Sequence, residues 1–378
     1  MSGHPWAMLG LAAACGIANL HAQPTAEPAV SERVVLDDRY PERHVNFAGG
    51  VVGTPDLVYA TLPGFRPLHL DLYQPPREAT AVAHPFVIYI HGGGWMGGQT
   101  RQSGAFSNWP NVLASLAARG YVVASVEYRL SGEARFPAAE QDIKSAIRWL
   151  RAHASDYGID KAHGLVWGAS AGGQLAALTA TSCGVAELEP TSPAMAPGEP
   201  PRAAPGSPVA AAGPPESACM QAAITWYGVF DFSTLAGQRG PNATGAPGGG
   251  DSADARYLGC KISACSPAVI AAASPVTYVR HDNPPMLLVH GQMDKTVPVQ
   301  QSQEFYDKLR TAGVPAQLLL IPDVDHSFIG KTPETTRAAS RQALARVFQF
   351  IDETLKGGHG ATRAASRKSF TGDADEIR

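Results

Sequence analysis

Ser170 stands at the centre of Gly168-Ala169-Ser170-Ala171-Gly172, directly after the apolar run Leu165-Val166-Trp167. A short buried strand followed by G-x-S-x-G forces a tight turn into a helix and holds the serine hydroxyl at the apex, clear of the sheet. Glycines on both sides remove side chains that would collide where strand and helix nearly touch. The helix expected next, Ala171 to about Thr181, turns unpaired N–H groups and a positive end toward any anion formed there. Such a serine suits nucleophilic acyl transfer. With 39 glycines in the chain the motif alone can arise by chance, so its place at a strand–helix junction is what gives it weight.

A serine at its ordinary pKa is a poor nucleophile and needs a base within hydrogen-bond reach. His326 fits, in a loop after the apolar run ending Ile321-Pro322, because an imidazole titrates near neutrality. His153 falls on a helix, His163 before a strand and His281 in a charged approach to one. The base needs an acid to orient it and to stabilise its cation. Asp294 follows the apolar run Met286–Val289, at the kind of strand end where open α/β sheets gather their sites. Asp323 and Asp325 are nearer in sequence but are read as loop-capping or solvent-facing acids. Attack on a carbonyl also creates an oxyanion that needs waiting donors. His91-Gly92-Gly93-Gly94-Trp95 follows another apolar run, Phe86–Ile90, and the backbone N–H groups of Gly93, Gly94 and Ala171 are the candidate donors. The glycine triplet lacks the G-x-G-x-x-G spacing and the Gly-Lys-Ser/Thr ending of phosphate loops.

These loops need rigid elements to position them. Strands are expected at 57–59, 68–73, 86–90, 121–126, 165–167, 222–225, 286–289 and 317–321, with the second alternating as a half-exposed outer strand does. Helices are expected at 111–118, 138–153, 171–181, 300–310 and 337–355. Strand and helix alternate, so the fold class is α/β, one mostly parallel sheet with helices on both faces. Two stretches rich in Pro, Ala and Gly, 184–218 and 237–250, are read as surface insertions in a catalytic domain spanning 56–356. Residues 23–55 are expected to form an extended or loosely packed lead-in, and 357–378 a disordered tail.

Apolar residues at 44%, charged residues at 17% and a net charge of -3 give no reason to invoke nucleic acid or an anionic membrane surface. Residues 1–22 read as an export signal, with an apolar stretch from Trp6 to Leu20 too short to span a bilayer and cleavage near Ala22. Its first segment carries no Lys or Arg, only the amino terminus and His4. The expected location is secreted or periplasmic, with no transmembrane segment after the signal. Four cysteines remain beyond it and allow three pairings. Cys183–Cys219, stapling the base of the long insertion, and Cys260–Cys265, closing a local loop, are the expected disulfides. No CxxC repeat accompanies them, so structural zinc is not expected.

The sequence resembles the α/β-hydrolase esterases with an HGGG oxyanion loop, and more closely their bacterial acetyl-xylan and feruloyl esterase-like branch, the BD-FAE type. The likeness runs from about Asp56 to Leu355. It rests on His91-Gly92-Gly93-Gly94-Trp95, Glu127-Tyr128-Arg129-Leu130, Phe136-Pro137-Ala138-Ala139, Gly168-Ala169-Ser170-Ala171-Gly172-Gly173 and His290-Gly291-Gln292-Met293-Asp294. It implies Ser170 as nucleophile, Asp294 as acid, His326 as base, no metal or organic cofactor, and a small-molecule or polysaccharide-linked ester as substrate. Glu127 and Arg129 are taken as supports of the core beside the site. Trp95, Trp226 and Tyr227 are the candidate substrate-binding aromatics, which could stack on a phenolic acyl group or a sugar ring, with Phe106, Trp109 and Phe230 as further candidates. The stretch before His91 is too short for the large propeller of prolyl-oligopeptidase-type peptidases, which share the triad order. Neither insertion has the amphipathic pattern of a lipase lid, and a partner-binding protein of this fold would be expected to lack a triad member. A generic short-chain carboxylesterase is the alternative.

Overall fold

In the computed structural model, which describes residues 43–62, 64–76, 82–190, 216–239 and 252–356, nine strands pair into one sheet. They are β1 (Val45–Asn46), β2 (Val52–Ala60), β3 (Leu68–Gln74), β4 (His84–Ile90), β5 (Val122–Val126), β6 (Ile159–Ala169), β7 (Ala222–Trp226), β8 (Met286–Gly291) and β9 (Ala316–Ile321). The spatial order is β1-β2-β3-β5-β4-β6-β7-β8-β9. The first three strands form an antiparallel flank, and β3 meets β5 antiparallel as well. From β5 to β9 every pairing is parallel.

The helices are α1 (Trp109–Ala117), α2 (Ala138–Ala152), α3 (Ala154–Tyr157), α4 (Ala171–Thr181), α5 (Phe232–Gln238), α6 (Ala253–Leu258), α7 (Pro267–Ala273), α8 (Gln300–Thr311) and α9 (Pro333–Leu355). They pack on both faces of the sheet, which is why the central strands read as unbroken apolar runs rather than alternating ones. Phe86, Ile88 and Ile90 of β4 enter a core shared with Ile143 of α2, Leu175 of α4 and Phe305 of α8. Val87 and Tyr89 enter the opposite core, with Val112 of α1 and Val347 of α9. Connections between parallel strands bring every β4-to-β9 strand to its C-terminal end on the same edge, and the candidate residues follow those ends. This is an α/β-hydrolase fold.

Three differences from the sequence reading have local causes. The lead-in is not loose throughout, because β1 pairs with the start of β2 and Val51 is buried. Strand β6 starts at Ile159, six residues before its apolar run, since its first half carries Asp160, Lys161 and His163 toward solvent. Helices α5, α6 and α7 were not anticipated in a Gly-, Ser- and Ala-rich stretch. Their caps were legible: Asp231, Ser252 and Ser266 each accept a hydrogen bond from a first-turn N–H, and Pro267 opens α7.

Both expected disulfides are present, Cys183–Cys219 and Cys260–Cys265. No helix among the described residues is long and apolar enough to cross a membrane. The export-signal reading for 1–22, the lead-in up to Glu42, most of both insertions and the 357–378 tail lie outside the described residues.

Candidate active site

Strand β6 runs directly into Ser170, and α4 begins at the next residue. Ser170 takes φ 56 and ψ −119, a backbone region that side-chain-bearing residues rarely occupy and that recurs at functional sites. Close packing enforces this turn: a Cβ at Gly168 would collide with the Gly172 carbonyl, and one at Gly172 with the carbonyl of Ile90 in β4. The Ser170 N–H donates to the Trp226 carbonyl at 2.8 Å, tying the turn to β7. Its hydroxyl is thereby presented above the strand ends.

His326 Nε2 lies 2.9 Å from Ser170 Oγ, and His326 Nδ1 lies 2.7 Å from Asp294 Oδ2. The three side chains thus form one hydrogen-bonded chain across the ends of β6, β8 and β9. The Asp294 side chain has no exposed surface, while His326 keeps 18% of its own. Burial alone would raise the Asp294 pKa. Hydrogen bonds and charge from His290 and His326 outweigh that and hold it well below the ordinary carboxylate range. Its other oxygen accepts the N–H groups of Thr296 at 2.9 Å and Val297 at 2.8 Å, which fixes the carboxylate's direction.

Asp325 is not on the imidazole. Its Oδ1 accepts the backbone N–H of His326 at 2.7 Å and of Lys295 at 2.9 Å, clamping the loops after β8 and β9 together. His290 is a site residue that sequence reasoning missed. It is wholly buried, with Nδ1 2.7 Å from Ser302 Oγ, Nε2 2.9 Å from the Val297 carbonyl, and Nε2 3.2 Å from Asp294 Oδ2. Because a carbonyl cannot donate, Nε2 carries the proton, and that N–H also faces the acid. The signal was present in the sequence, four residues before Asp294.

The glycine loop after β4 supplies the opposite wall. Gly93 has φ 117 and Gly94 φ 60, so glycine is the residue that fits both positions without strain. Among the described residues the N–H groups of Gly93 and Gly94 have no acceptor, and Ala171, first residue of α4, has none within its helix. His91 shapes this loop as a neutral ring. Burial pushes its pKa down to about 4, and its Nδ1 donates to the Gly92 carbonyl at 2.8 Å. Tyr128 stacks on that ring at 4.5 Å and donates its hydroxyl to the His91 carbonyl at 3.1 Å. Arg129 is engaged away from the site, with its Nε 2.8 Å from Asp142 Oδ2. Glu127 is likewise tied up by Arg66 and His69. Their hydrogen bonds outweigh the opposing effect of burial and hold its pKa at about 2.

Ser170, His326, Gly93 and Gly94 line an open cavity of about 570 Å³, within the usual range for small-molecule sites. Of the predicted aromatics, Tyr227 lines it, with its ring edge-on to the His326 imidazole at 4.7 Å. Phe106 lines it too. Trp95 and Trp226 do not. Trp95 turns below the loop, donates Nε1 to Gln174 Oε1 at 3.0 Å and stacks on Tyr257 at 4.5 Å. Trp226 is the last residue of β7 and points into the core against Trp167 at 4.8 Å, while Tyr227, one residue on, faces the cavity. Trp109 and Phe230 are also core residues with no exposed surface. Tyr89 and Ala169 also line the cavity, and Gln99, Arg101, Gln102 and Ser103 form a polar part of the wall.

The family model BD-FAE matches residues 70–309, more than half of the chain, and that interval contains Ser170, Asp294 and the glycine loop. The chain belongs to the BD-FAE family. A probable carboxylic ester hydrolase of Mycobacterium tuberculosis, LipM, is 29% identical over 284 residues, covering 74% of this chain and 58% of that protein. This member of the BD-FAE family therefore spans less than two thirds of that relative's length. An ethyl acetate hydrolase of Pseudomonas putida is 30% identical over 288 residues, covering 72% of this chain and 75% of its own. Among solved structures, esterase 2 of Thermogutta terrifontis with propionate bound is 26% identical, with a TM-score of 0.56 over 81% of this chain and 95% of that one.

Proposed function

We propose that this protein is an exported serine carboxylic-ester hydrolase, acting through an acyl-enzyme on short acyl or feruloyl esters of plant cell-wall polysaccharide. The observation that carries the reading is the unbroken Ser170–His326–Asp294 chain beside a cavity also lined by Gly93 and Gly94, whose N–H groups have no acceptor among the described residues. Ser170 Oγ attacks the ester carbonyl as His326 Nε2 takes its proton, and Asp294 stabilises the imidazolium. The carbonyl oxygen, now anionic, is received by the N–H groups of Gly93, Gly94 and Ala171, with the N-terminus of α4 adding its positive end. The tetrahedral intermediate collapses as His326 protonates the departing alcohol. Water, deprotonated by the same imidazole, then attacks the acyl-serine and releases the acid. Each proton moved in this sequence is carried by His326.

The esterase reading is supported by the named relatives, and the short acyl group by the ethyl acetate hydrolase and the propionate-bound esterase. Phe106 and Tyr227 give a feruloyl ring two aromatic surfaces, and the polar wall of Gln99 and Gln102 suits a hydroxylated alcohol. Two disulfides support export, since such bonds persist in oxidising compartments. A generic short-chain carboxylesterase is the second reading, favoured by the burial of Trp95 and Trp226, which leaves no tryptophan among the cavity's lining residues.

Initial rates on acetyl, butyryl and decanoyl p-nitrophenyl esters, methyl ferulate and acetylated xylan, with Ser170→Ala as blank, test the proposal. A kcat/KM on ferulate or acetylated xylan well above the simple esters establishes the cell-wall reading. Activity confined to short p-nitrophenyl esters leaves the second reading. Undiminished hydrolysis by Ser170→Ala removes Ser170 as nucleophile.

A further inference from the structure

A second cavity, of about 370 Å³, lies beside the Ser170 cavity, and the two share one wall residue, Arg101. Its floor is the antiparallel flank of the sheet, from Gly53 to Asp56 in β2 and from Asp71 to Tyr73 in β3. Phe47 and Tyr73 form an edge-to-face pair there at 5.5 Å, and Pro55 and Pro110 complete the apolar surface.

Arg101 is held rigid at the threshold. Its Nε lies 2.8 Å from Asp71 Oδ2, and its Nη2 lies 2.9 Å from Asp71 Oδ1 and 2.6 Å from Asp56 Oδ1. Asp71 is itself buried and also accepts the Thr100 hydroxyl at 2.8 Å and the Asp56 N–H at 2.9 Å. Among the described residues the remaining nitrogen, Nη1, has no acceptor, so a fixed guanidinium edge is left with two free N–H groups. Nothing in the hydrolytic cycle uses this arrangement.

The lining also defines the chemistry of its occupant. The lining carries two arginines, Arg43 and Arg101, and two carboxylates, Asp56 and Asp71, so neither a cation nor an anion finds a field of one sign. Aromatic and proline surfaces beside fixed donors and acceptors match a ring with apolar faces and hydroxylated edges. We infer that this cavity is a subsite for a neutral sugar ring of the ester's alcohol portion, with Arg101 bridging it to the Ser170 cavity. The inference rests on the esterase reading and adds where a polysaccharide chain leaves the reaction centre.

The test is the ratio of kcat/KM on acetylated xylotetraose to kcat/KM on p-nitrophenyl acetate, which has no sugar to place. Phe47→Ala is expected to lower that ratio about 3–10-fold, the worth of one lost aromatic contact, mainly through KM. Phe47→Leu, which keeps apolar bulk and protects the fold, is expected to lower it in the same direction. An unchanged ratio in both variants overturns the inference. So does a matching loss on methyl ferulate, which would put a phenolic ring in the cavity, or no wild-type hydrolysis of the xylotetraose ester. If p-nitrophenyl acetate hydrolysis does not depend on Ser170, the esterase reading falls instead.

Discussion

Asp294 and Asp71 are both buried carboxylates, each fixed by several hydrogen bonds that include backbone N–H groups. They differ in the cation they face. Asp71 holds a guanidinium, which keeps its proton at any pH the protein meets. Asp294 holds an imidazole, whose ring nitrogens can both donate and accept a proton, and that imidazole reaches a serine. The same acceptor geometry therefore builds a scaffold on the antiparallel flank and, on the proposed mechanism, serves proton transfer on the parallel edge. Burial and hydrogen bonding alone do not mark a reactive acid; the titrating partner does.

Mutations can break this contrast in graded steps. Asp294→Asn is expected to lower kcat on p-nitrophenyl acetate by about 10³–10⁴-fold, the scale known for a mis-set imidazole tautomer in a serine protease, with the folded state retained. Thermal unfolding measured beside the initial rates separates the two effects.

His91 sharpens the contrast from the other side, as an imidazole without an acid. Its unfolded-state pKa of 6.5 falls to about 4 on burial, so the unfolded chain binds the extra proton between these values. The stability it contributes is complete above pH 6.5 and is lost as pH falls toward 4, on the order of 3 kcal/mol. His91→Asn should flatten that acid limb in urea unfolding measured across the interval. An acid limb as steep as wild type would contradict the neutral ring.

Asp71→Asn is expected to cost about 1–3 kcal/mol of stability, because Arg101 is partly exposed and water recovers part of the lost pairing. Its effect on p-nitrophenyl acetate should be far smaller than that of Asp294→Asn. Asp325→Asn should lower kcat at most about tenfold, the worth of one ordinary hydrogen bond between the two loops. If Asp71→Asn or Asp325→Asn proved the crippling change in kcat, the division between scaffold and chemistry would be misplaced.

The site was legible in the sequence wherever one residue type at a strand end sufficed. Ser170, Asp294 and His326 each follow an apolar run, and chain order with chemical type singled them out. The aromatic walls were not legible for a geometric reason. Trp226 and Tyr227 are adjacent, and which ring enters the core depends on where β7 stops alternating and the chain turns at Tyr227, whose φ is 39. Trp95 was misplaced similarly: its φ of 56 turns the ring beneath the glycine loop, toward Tyr257 of the unanticipated helix α6. The second cavity was also invisible, because Phe47, Asp71 and Arg101 lie far apart in the chain and meet only when the β1–β3 flank joins the sheet.

On the proposed mechanism the His326–Asp294 pair makes Ser170 the reactive nucleophile. Treating the protein with a dialkyl p-nitrophenyl phosphate and locating the adduct by peptide mass spectrometry tests it directly. A single phosphoryl adduct is expected on Ser170, with p-nitrophenolate released in equal amount, and labelling of Asp294→Asn is expected to be sharply slowed. Labelling at another residue, or wild-type and Asp294→Asn proteins labelled at the same rate, would contradict it.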